Sequence, residues 1–145
     1  MKKILECSTK GDKRYSAFYA RVKVYGIEDS IERHYQSCKR DSKGNEVGKG
    51  KRVDYMVLHN KNTNKKYKLS PKYLTAYYKL LWCKYLDNHP ELVLYAREYD
   101  DYSDMFKGKY TINCQADVIR DYVKKGRDSI IKDKEVKEFI KLLRE

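Results

Sequence analysis

The segment SIERHYQSCK, which begins at Ser30, contains three side chains with complementary chemistry. Glu32 supplies a carboxylate, Gln36 an amide four residues later, and Lys39 an amine three residues after that. On a helix, which turns about 100° per residue, these groups project along one edge of an apolar stripe that can face the core. Because carboxylates move protons and lysine amines add to imines, this edge is a candidate catalytic site.

The same segment also has a purely structural interpretation. Asp29 and Glu32 have the spacing of a capping box, in which the Glu side chain folds back onto the start of the helix. Lys39 would then be an ordinary basic residue in the last turn, where a cation is favourable. Spacing alone favours this structural interpretation.

Local patterns predict the elements that must position these groups. Apolar alternation upstream of Gly26 predicts short strands, with a hairpin loop near Gly11. The first helix is predicted to begin with Asp29 as its cap and to run to about Arg40, where turn-forming residues follow. All three candidate groups would therefore lie on this helix.

The rest of the chain is predicted to be mainly helical. Residues 52–59 and 65–69 favour a second hairpin, and the acidic segment from Asp100 to Asp104 favours a loop. Helices are predicted over residues 70–88, 90–99, 115–125 and 134–143. The predicted fold class is α+β, as one compact domain over residues 1–145, mostly helical with short N-terminal strands and hairpins.

Composition limits the classes of function. The chain is 41% hydrophobic, which is too apolar for a disordered protein, and its net charge of +12 suggests a polyanionic partner. It contains neither a secretory signal nor an apolar run of the roughly 20 residues that a membrane span needs, so a cytoplasmic protein without membrane contact is expected. The cysteine and histidine spacings match no metal site. We therefore expect a monomer with no metal and no cofactor.

A longer pattern surrounds the candidate groups. It comprises Ser16-Ala17-Phe18-Tyr19, then Gly26, then Ser30-Ile31-Glu32, and finally Gln36 and Lys39. The order and spacing resemble the NADAR family, which is named for its association with NAD and ADP-ribose. Further similarities follow at Lys84-Tyr85, at Asn88 to Leu92, at the acidic loop with Phe106 and Gly108, and at Asn113. The resemblance therefore spans nearly the whole chain and implies a NADAR-like domain.

The chain departs from the family pattern at three places. Arg33 separates Glu32 from His34, whereas family members usually have His directly after the Glu. Phe106-Lys107-Gly108 replaces a Trp-Gly pair, and Asn113 is followed by Cys-Gln-Ala instead of a Leu-Gly pattern. The chain is therefore interpreted as a diverged member.

The resemblance implies hydrolysis of an N-glycosidic bond between ribose and an exocyclic amine. In one form of the hypothesis, Lys39 captures the ring-opened sugar as a Schiff base while Glu32 moves protons and Gln36 holds a ribose hydroxyl or the attacking water. In the other, water attacks an oxocarbenium-like sugar directly, with Glu32 or a loop aspartate as base, and Lys39 only steadies charge. Sequence does not separate the two.

Further site residues are expected from the same resemblance. The acidic loop would supply a second carboxylate, with Asp101 and Asp104 as the candidates, although the loop can also be a plain solvated turn. Ser16, Phe18, Tyr19 and Asn113 would bind the substrate. Phe18 and Tyr19 can instead be core residues of a strand, and Asn113 can cap the following helix.

The net charge of the chain favours one of the substrates that the family resemblance allows. Since +12 is more than a small phosphorylated substrate needs, we expect ADP-ribosylated DNA with ADP-ribose linked to guanine. Such an enzyme would reverse a DNA-modifying toxin, as an antitoxin or in phage counter-defence. The alternatives are a hydrolase of ribosylamino pyrimidine precursors of riboflavin, and a non-enzymatic protein that binds nucleic acid or ADP-ribose.

Overall fold

A strand near the N-terminus pairs with one almost a hundred residues later, which closes the fold around its core. The computed structural model describes residues 2–48, 50–104 and 114–144. Across them the strands are β1 (Ile4–Glu6), β2 (Arg21–Val24), β3 (Ile27–Ser30), β4 (Lys39–Arg40), β5 (Tyr55–Asn60), β6 (Lys65–Leu69) and β7 (Asp101–Ser103). The α-helices are α1 (Ile31–Ser37), α2 (Leu74–Asp87), α3 (Pro90–Arg97), α4 (Gln115–Lys125), α5 (Arg127–Ile131) and α6 (Lys134–Arg144).

The strands form small, separate sheets rather than one large sheet. β2 and β3 are an antiparallel hairpin, β4, β5 and β6 form an antiparallel sheet in that order, and β1 pairs in parallel with β7. Helices account for 47% of the described residues and strands for 21%. The predicted α+β class is therefore confirmed.

The N-terminal hairpin lies at a different place from the one predicted. Its turn is at Tyr25 and Gly26, whose φ angles of 52° and 84° suit the tight turns that join twisted antiparallel strands. Gly11 does not turn the chain into a hairpin, because β1 takes its hydrogen-bonding partner from β7. Such a pairing leaves no local signal, since its partners are about 97 residues apart.

The first helix is shorter than predicted at both ends. Residues 27–30 extend as β3, and Ser30 is the cap, with its hydroxyl accepting a hydrogen bond from the Arg33 backbone at 3.1 Å. The helix ends at Ser37, since Lys39 and Arg40 pair with β5 as strand β4. Asp29 as cap and Lys39 as a helical residue are therefore both wrong.

The core is built around α2. This helix follows a Ser70-capped 3-10 turn, as the Ser-Pro pair predicts, and buries Trp82 completely. Much of the aromatic content is internal, and buried tyrosine hydroxyls donate to backbone carbonyls, such as Tyr15 to Leu92 at 2.6 Å. Tyrosine therefore fills the core while satisfying its own hydroxyl.

The later helices follow their predicted ranges closely. α4 ends at Gly126, whose φ of 91° favours glycine, and α3 begins at Pro90. The acidic segment is only partly a loop, because its centre forms β7 against β1. The short helix α5 was not predicted.

Candidate active site

Glu32 and Gln36 lie one turn apart on α1 and bind each other. The amide nitrogen of Gln36 donates to Oε1 of Glu32 at 3.0 Å, so Glu32 does not fold back as a capping box requires. The side-chain amide oxygen of Gln36, Oε1, is buried and has no hydrogen-bond partner among the described residues. A buried acceptor without a donor costs free energy. Only one other side-chain nitrogen or oxygen atom of the described residues, Nε1 of the core residue Trp82, is buried without a partner.

Lys39 reaches the same region from strand β4. It pairs with Met56, which is fully buried, so its side chain lies on the inner face of the sheet. Its ammonium group lies 4.2 Å from the centre of the Tyr35 ring, within the range of a cation–π contact. Tyr35 in turn meets Tyr78 edge to face at 5.1 Å between ring centres. The amine is therefore held near α1 although it has left the helix.

Tyr78 is a buried residue of α2. Burial raises the pKa of its hydroxyl far above the ordinary value, and the charges of Glu32 and Asp104 raise that pKa further. Asp104 directly follows β7 and accepts a weak hydrogen bond from the Cys114 thiol at 3.8 Å.

Asp101 is engaged elsewhere. One of its carboxylate oxygens accepts from the Tyr102 backbone at 2.8 Å and lies 3.8 Å from a guanidinium nitrogen of Arg120 on α4. These contacts tie β7 to α4. Of the two candidate acids, Asp101 is therefore engaged by Arg120, whereas Asp104 contacts the Cys114 thiol.

A tight turn with two exposed aromatic residues docks on the start of α1 through its backbone. Ser16 is buried, and its hydroxyl accepts from the Phe18 backbone at 3.3 Å, whereas Phe18 and Tyr19 are 50% and 53% exposed. Glu32 donates its backbone N–H to Ala17 at 3.0 Å, which docks the turn onto the first residues of the helix. Phe18 and Tyr19 are therefore not core residues, and about half of each residue's surface faces solvent.

Gln115 connects the parts of the site and was missed by sequence reasoning. Its side-chain oxygen accepts from the Ala17 backbone at 2.6 Å, and its nitrogen donates to the Cys7 carbonyl at 2.7 Å. Cys7 in turn donates its backbone N–H to Ser103 at 2.8 Å. The side chain is 4% exposed, and one amide therefore links the aromatic turn to the strand that precedes Asp104. Its only sequence signal is that it begins a predicted helix.

Parts of the predicted site lie outside the described residues. These are Asn113, Phe106 and Gly108. Within the described ranges, no group of three or more His, Cys, Asp or Glu side chains could hold a metal ion. No helix of the described chain is long and apolar enough to cross a membrane.

A cavity of about 410 Å³ lies at the other end of α2. It is lined by Asp87, Arg97, Tyr122 and Arg127 around an apolar floor that includes Leu86. Asp87 accepts there from the hydroxyl of Tyr122 at 2.5 Å and from Arg127 at 2.9 Å. None of the predicted site residues lines this cavity.

The comparisons with known proteins bear on the identity of the chain. No curated protein matches it significantly. A family model described as DarT1-associated NADAR antitoxin matches residues 39–145, which is most of the chain and begins at Lys39. The segment that carries Ser16, Glu32 and Gln36 lies just ahead of the matched residues. Because the matched residues cover more than half of the sequence, the chain belongs to the NADAR family of DarT1-associated antitoxins.

Proposed function

We propose that this antitoxin hydrolyses the N-glycosidic bond between ADP-ribose and guanine in DNA. The observation that carries the proposal is the hydrogen-bonded pair of Glu32 and Gln36, with a buried Gln36 carbonyl that lacks a donor. A ribose hydroxyl or a water molecule is a donor of the required kind. The exposed rings of Phe18 and Tyr19 beside the pair suit stacking on a base.

Glu32 is the proton carrier in the proposed mechanism. The sugar ring opens when its oxygen gains a proton and the exocyclic nitrogen of guanine shares its electron pair with C1 of the ribose, giving an imine. Asp104 acts as the second carboxylate, because it follows β7, which Cys7 and Gln115 connect to the turn that docks on Glu32. Two carboxylates at one site can hold different protonation states and so divide the acid and base roles.

Lys39 supplies the covalent step. Its neutral amine adds to C1, the guanine amine departs with a proton, and a lysine–sugar iminium remains. Water then adds to C1, and the C1–nitrogen bond to lysine breaks, releasing ADP-ribose and regenerating the amine. The amine rests over the Tyr35 ring, so substrate must draw it away from that ring for the step to occur.

DNA is favoured over a free nucleotide by two considerations. The net charge of +12 suits a backbone of phosphates, and the description of the matched family associates it with DarT1 and thereby with ADP-ribosylation. Removing ADP-ribose from the base would undo such a modification and restore the DNA. The ribosylamino pyrimidine hydrolase remains the second candidate within the family.

The test compares hydrolysis by the parent protein with hydrolysis by Glu32→Gln. An oligonucleotide carrying ADP-ribose on guanine is incubated with each, and release of ADP-ribose is followed by mass spectrometry. We expect Glu32→Gln to lose roughly 10²- to 10⁴-fold in turnover while it still binds the oligonucleotide. Glu28→Gln is the matched control, since Glu28 is an exposed carboxylate on strand β3.

Other outcomes select the alternatives. Release of base from a ribosylamino pyrimidine phosphate, with the DNA substrate untouched, would favour the riboflavin-type hydrolase. Binding of DNA without release by the parent protein would favour the non-enzymatic binding protein. Equal turnover by Glu32→Gln and Glu28→Gln would remove Glu32 from the mechanism.

A further inference from the structure

Cationic side chains lie against a series of aromatic rings that starts at the aromatic turn. The Lys13 amine lies 5.0 Å from the centre of the Tyr19 ring, and the Arg14 guanidinium lies 4.5 Å from that of Tyr95. The Tyr95 hydroxyl lies 2.9 Å from the hydroxyl of Tyr99. The Lys3 amine covers the Tyr99 ring at 5.0 Å. We call these residues the cation–aromatic row: Lys13, Tyr19, Arg14, Tyr95, Tyr99 and Lys3.

The row is anchored on rigid elements. Lys13 and Arg14 lie in a 3-10 turn, and the Arg14 carbonyl accepts from the hydroxyl of Tyr85 on α2 at 2.7 Å. Tyr95 lies on α3 and stacks on the fully buried Tyr15, with ring centres 6.4 Å apart. The ring faces are therefore held in place by the core, although Tyr95 itself is 41% exposed.

The charge of the row is positive despite local acids. Asp12 pairs with Arg14 at 2.7 Å, and Asp100 accepts from the Lys3 backbone at 2.8 Å. Lys124 adds a further cation, since its amine donates to the Tyr99 carbonyl at 2.6 Å. Exposed rings with cations between them suit unpaired bases and phosphates, because a duplex hides the faces of its bases.

We propose that the cation–aromatic row binds single-stranded DNA on one side of the modified guanine. Bases stack on Tyr19 and Tyr95, and the phosphates between them contact Lys3, Lys13 and Arg14. The row leads away from Phe18 and Tyr19, so a strand lying on it has one end at the candidate active site. This inference rests on the proposed function for the chemistry at that end, but binding along the row can be measured without it.

The test separates the row from the active site by substrate length. Tyr95→Ala and Lys3→Glu are assayed on a single-stranded oligonucleotide with ADP-ribosylated guanine and on ADP-ribosylated guanosine monophosphate. We expect the KM for the oligonucleotide to rise about five- to a hundredfold, as for the loss of one stacked base, and mononucleotide turnover to stay at the parent level. Turnover of the mononucleotide also reports that each variant is folded.

A matched pair of controls comes from the outer face of the β4–β5–β6 sheet. There the Lys68 amine lies 4.4 Å from the centre of the Tyr55 ring, which repeats the chemistry of the row away from the aromatic turn. Tyr55→Ala and Lys68→Glu should leave the KM for the oligonucleotide unchanged. An equal loss of affinity in these controls would overturn the proposal, because it would show general attraction to a basic surface.

Direct binding distinguishes failure of the row from failure of the proposed function. If the parent hydrolyses neither substrate, the proposed function fails, and fluorescence anisotropy with an unmodified thymidine oligonucleotide still tests the row. Weaker binding by Tyr95→Ala supports the row. So does a slope of log affinity against log salt concentration that is smaller in magnitude by about 0.7 for Lys3→Glu. Parent-level affinity in both variants, or tighter binding of duplex than of single strand, contradicts it.

Discussion

At the scale of single residues, the site holds one polar group that the fold leaves unsatisfied. Gln36 gives its amide hydrogen to Glu32 but keeps a buried carbonyl with no donor among the described residues. Native proteins keep few such atoms, since each costs about 1–3 kcal/mol. A substrate hydroxyl that reaches this side-chain oxygen can donate a hydrogen bond to it. Folding has already removed water from the oxygen, so binding does not have to do so.

Replacing Gln36 by Leu should therefore separate stability from activity. The substitution removes the unsatisfied carbonyl along with the hydrogen bond to Glu32, so we expect the free energy of unfolding to change by no more than about 1 kcal/mol. The value of kcat/KM for ADP-ribose release should fall tenfold or more. Urea denaturation and the release assay measure the two effects, with Ser37→Ala on the same helix as the control. If Gln36→Leu lowers the free energy of unfolding by several kcal/mol as well as lowering kcat/KM, the role of Gln36 is structural.

Lys39 offers a second prediction at this scale. Lys39→Arg keeps a cation near Tyr35 but lacks a primary amine, so we expect turnover to fall by more than about 10³-fold if the Schiff base forms. Borohydride added during turnover should trap one ADP-ribose on Lys39 of the parent, which mass spectrometry of its peptides detects. Substantial turnover by Lys39→Arg without any trapped adduct would instead support direct attack by water.

At the scale of elements, the site is assembled by backbone contacts between segments far apart in the chain. The turn after Ser16 docks on α1 through Ala17 and Glu32, and β1 docks on β7 through Cys7 and Ser103. Gln115, at the first turn of α4, binds both Ala17 and Cys7. Helix α4 therefore sets the distance between the aromatic turn and the strand that leads to Asp104.

Gln115→Leu should damage both the fold and the site. It leaves the Ala17 N–H and the Cys7 carbonyl buried without partners, which costs about 2–5 kcal/mol for the two groups together. Gln115→Glu should cost at least as much at neutral pH, because its buried carboxylate still accepts from Ala17 but has no hydrogen to donate to the Cys7 carbonyl. Chemical denaturation gives the stabilities, and the release assay should show a lower kcat for both variants. Parent-level stability of Gln115→Leu would mean that water replaces the lost amide.

At the scale of the whole molecule, one core is packed with groups that prefer to stay protonated. The described elements share a single cluster of buried side chains, which includes the thiols of Cys38 and Cys83. Burial raises the pKa of each of these thiols from 9.0 to about 12. Desolvation disfavours the thiolate, so both remain neutral while the protein is folded.

The protein should therefore lose stability in mild alkali. Below about pH 9 the thiols are protonated in both the folded and the unfolded state, so they do not lower the free energy of unfolding. Above that pH they ionise only in the unfolded chain, which favours unfolding. Each thiol then lowers the free energy of unfolding by about 1.4 kcal/mol per pH unit until pH approaches the folded pKa of about 12. Urea unfolding from about pH 8 to 10.5 measures this slope, and Cys83→Ala should reduce it. The same slope in parent and variant would assign it to other groups.

The sequence by itself determined the features that depend on near neighbours. Ser70-Pro71 marks the start of the helical segment that continues into α2, Gly126 ends α4, and the polar break between residues 60 and 65 predicts the β5–β6 hairpin. Glu32 and Gln36 could be chosen as a pair because a separation of four residues brings side chains together on any helix. That the chain is a single domain stays a prediction.

Only the tertiary structure decided the features that depend on distant partners. α1 stops before Lys39 because β5 offers backbone hydrogen bonds to residues 39 and 40, and β1 finds its partner in β7. Asp104 is distinguished from Asp101 by what each carboxylate meets after the chain has folded, and Gln115 has no local pattern that marks it as a link. Local spacing sets which groups can meet along one element, whereas packing between elements sets which of them converge on one site.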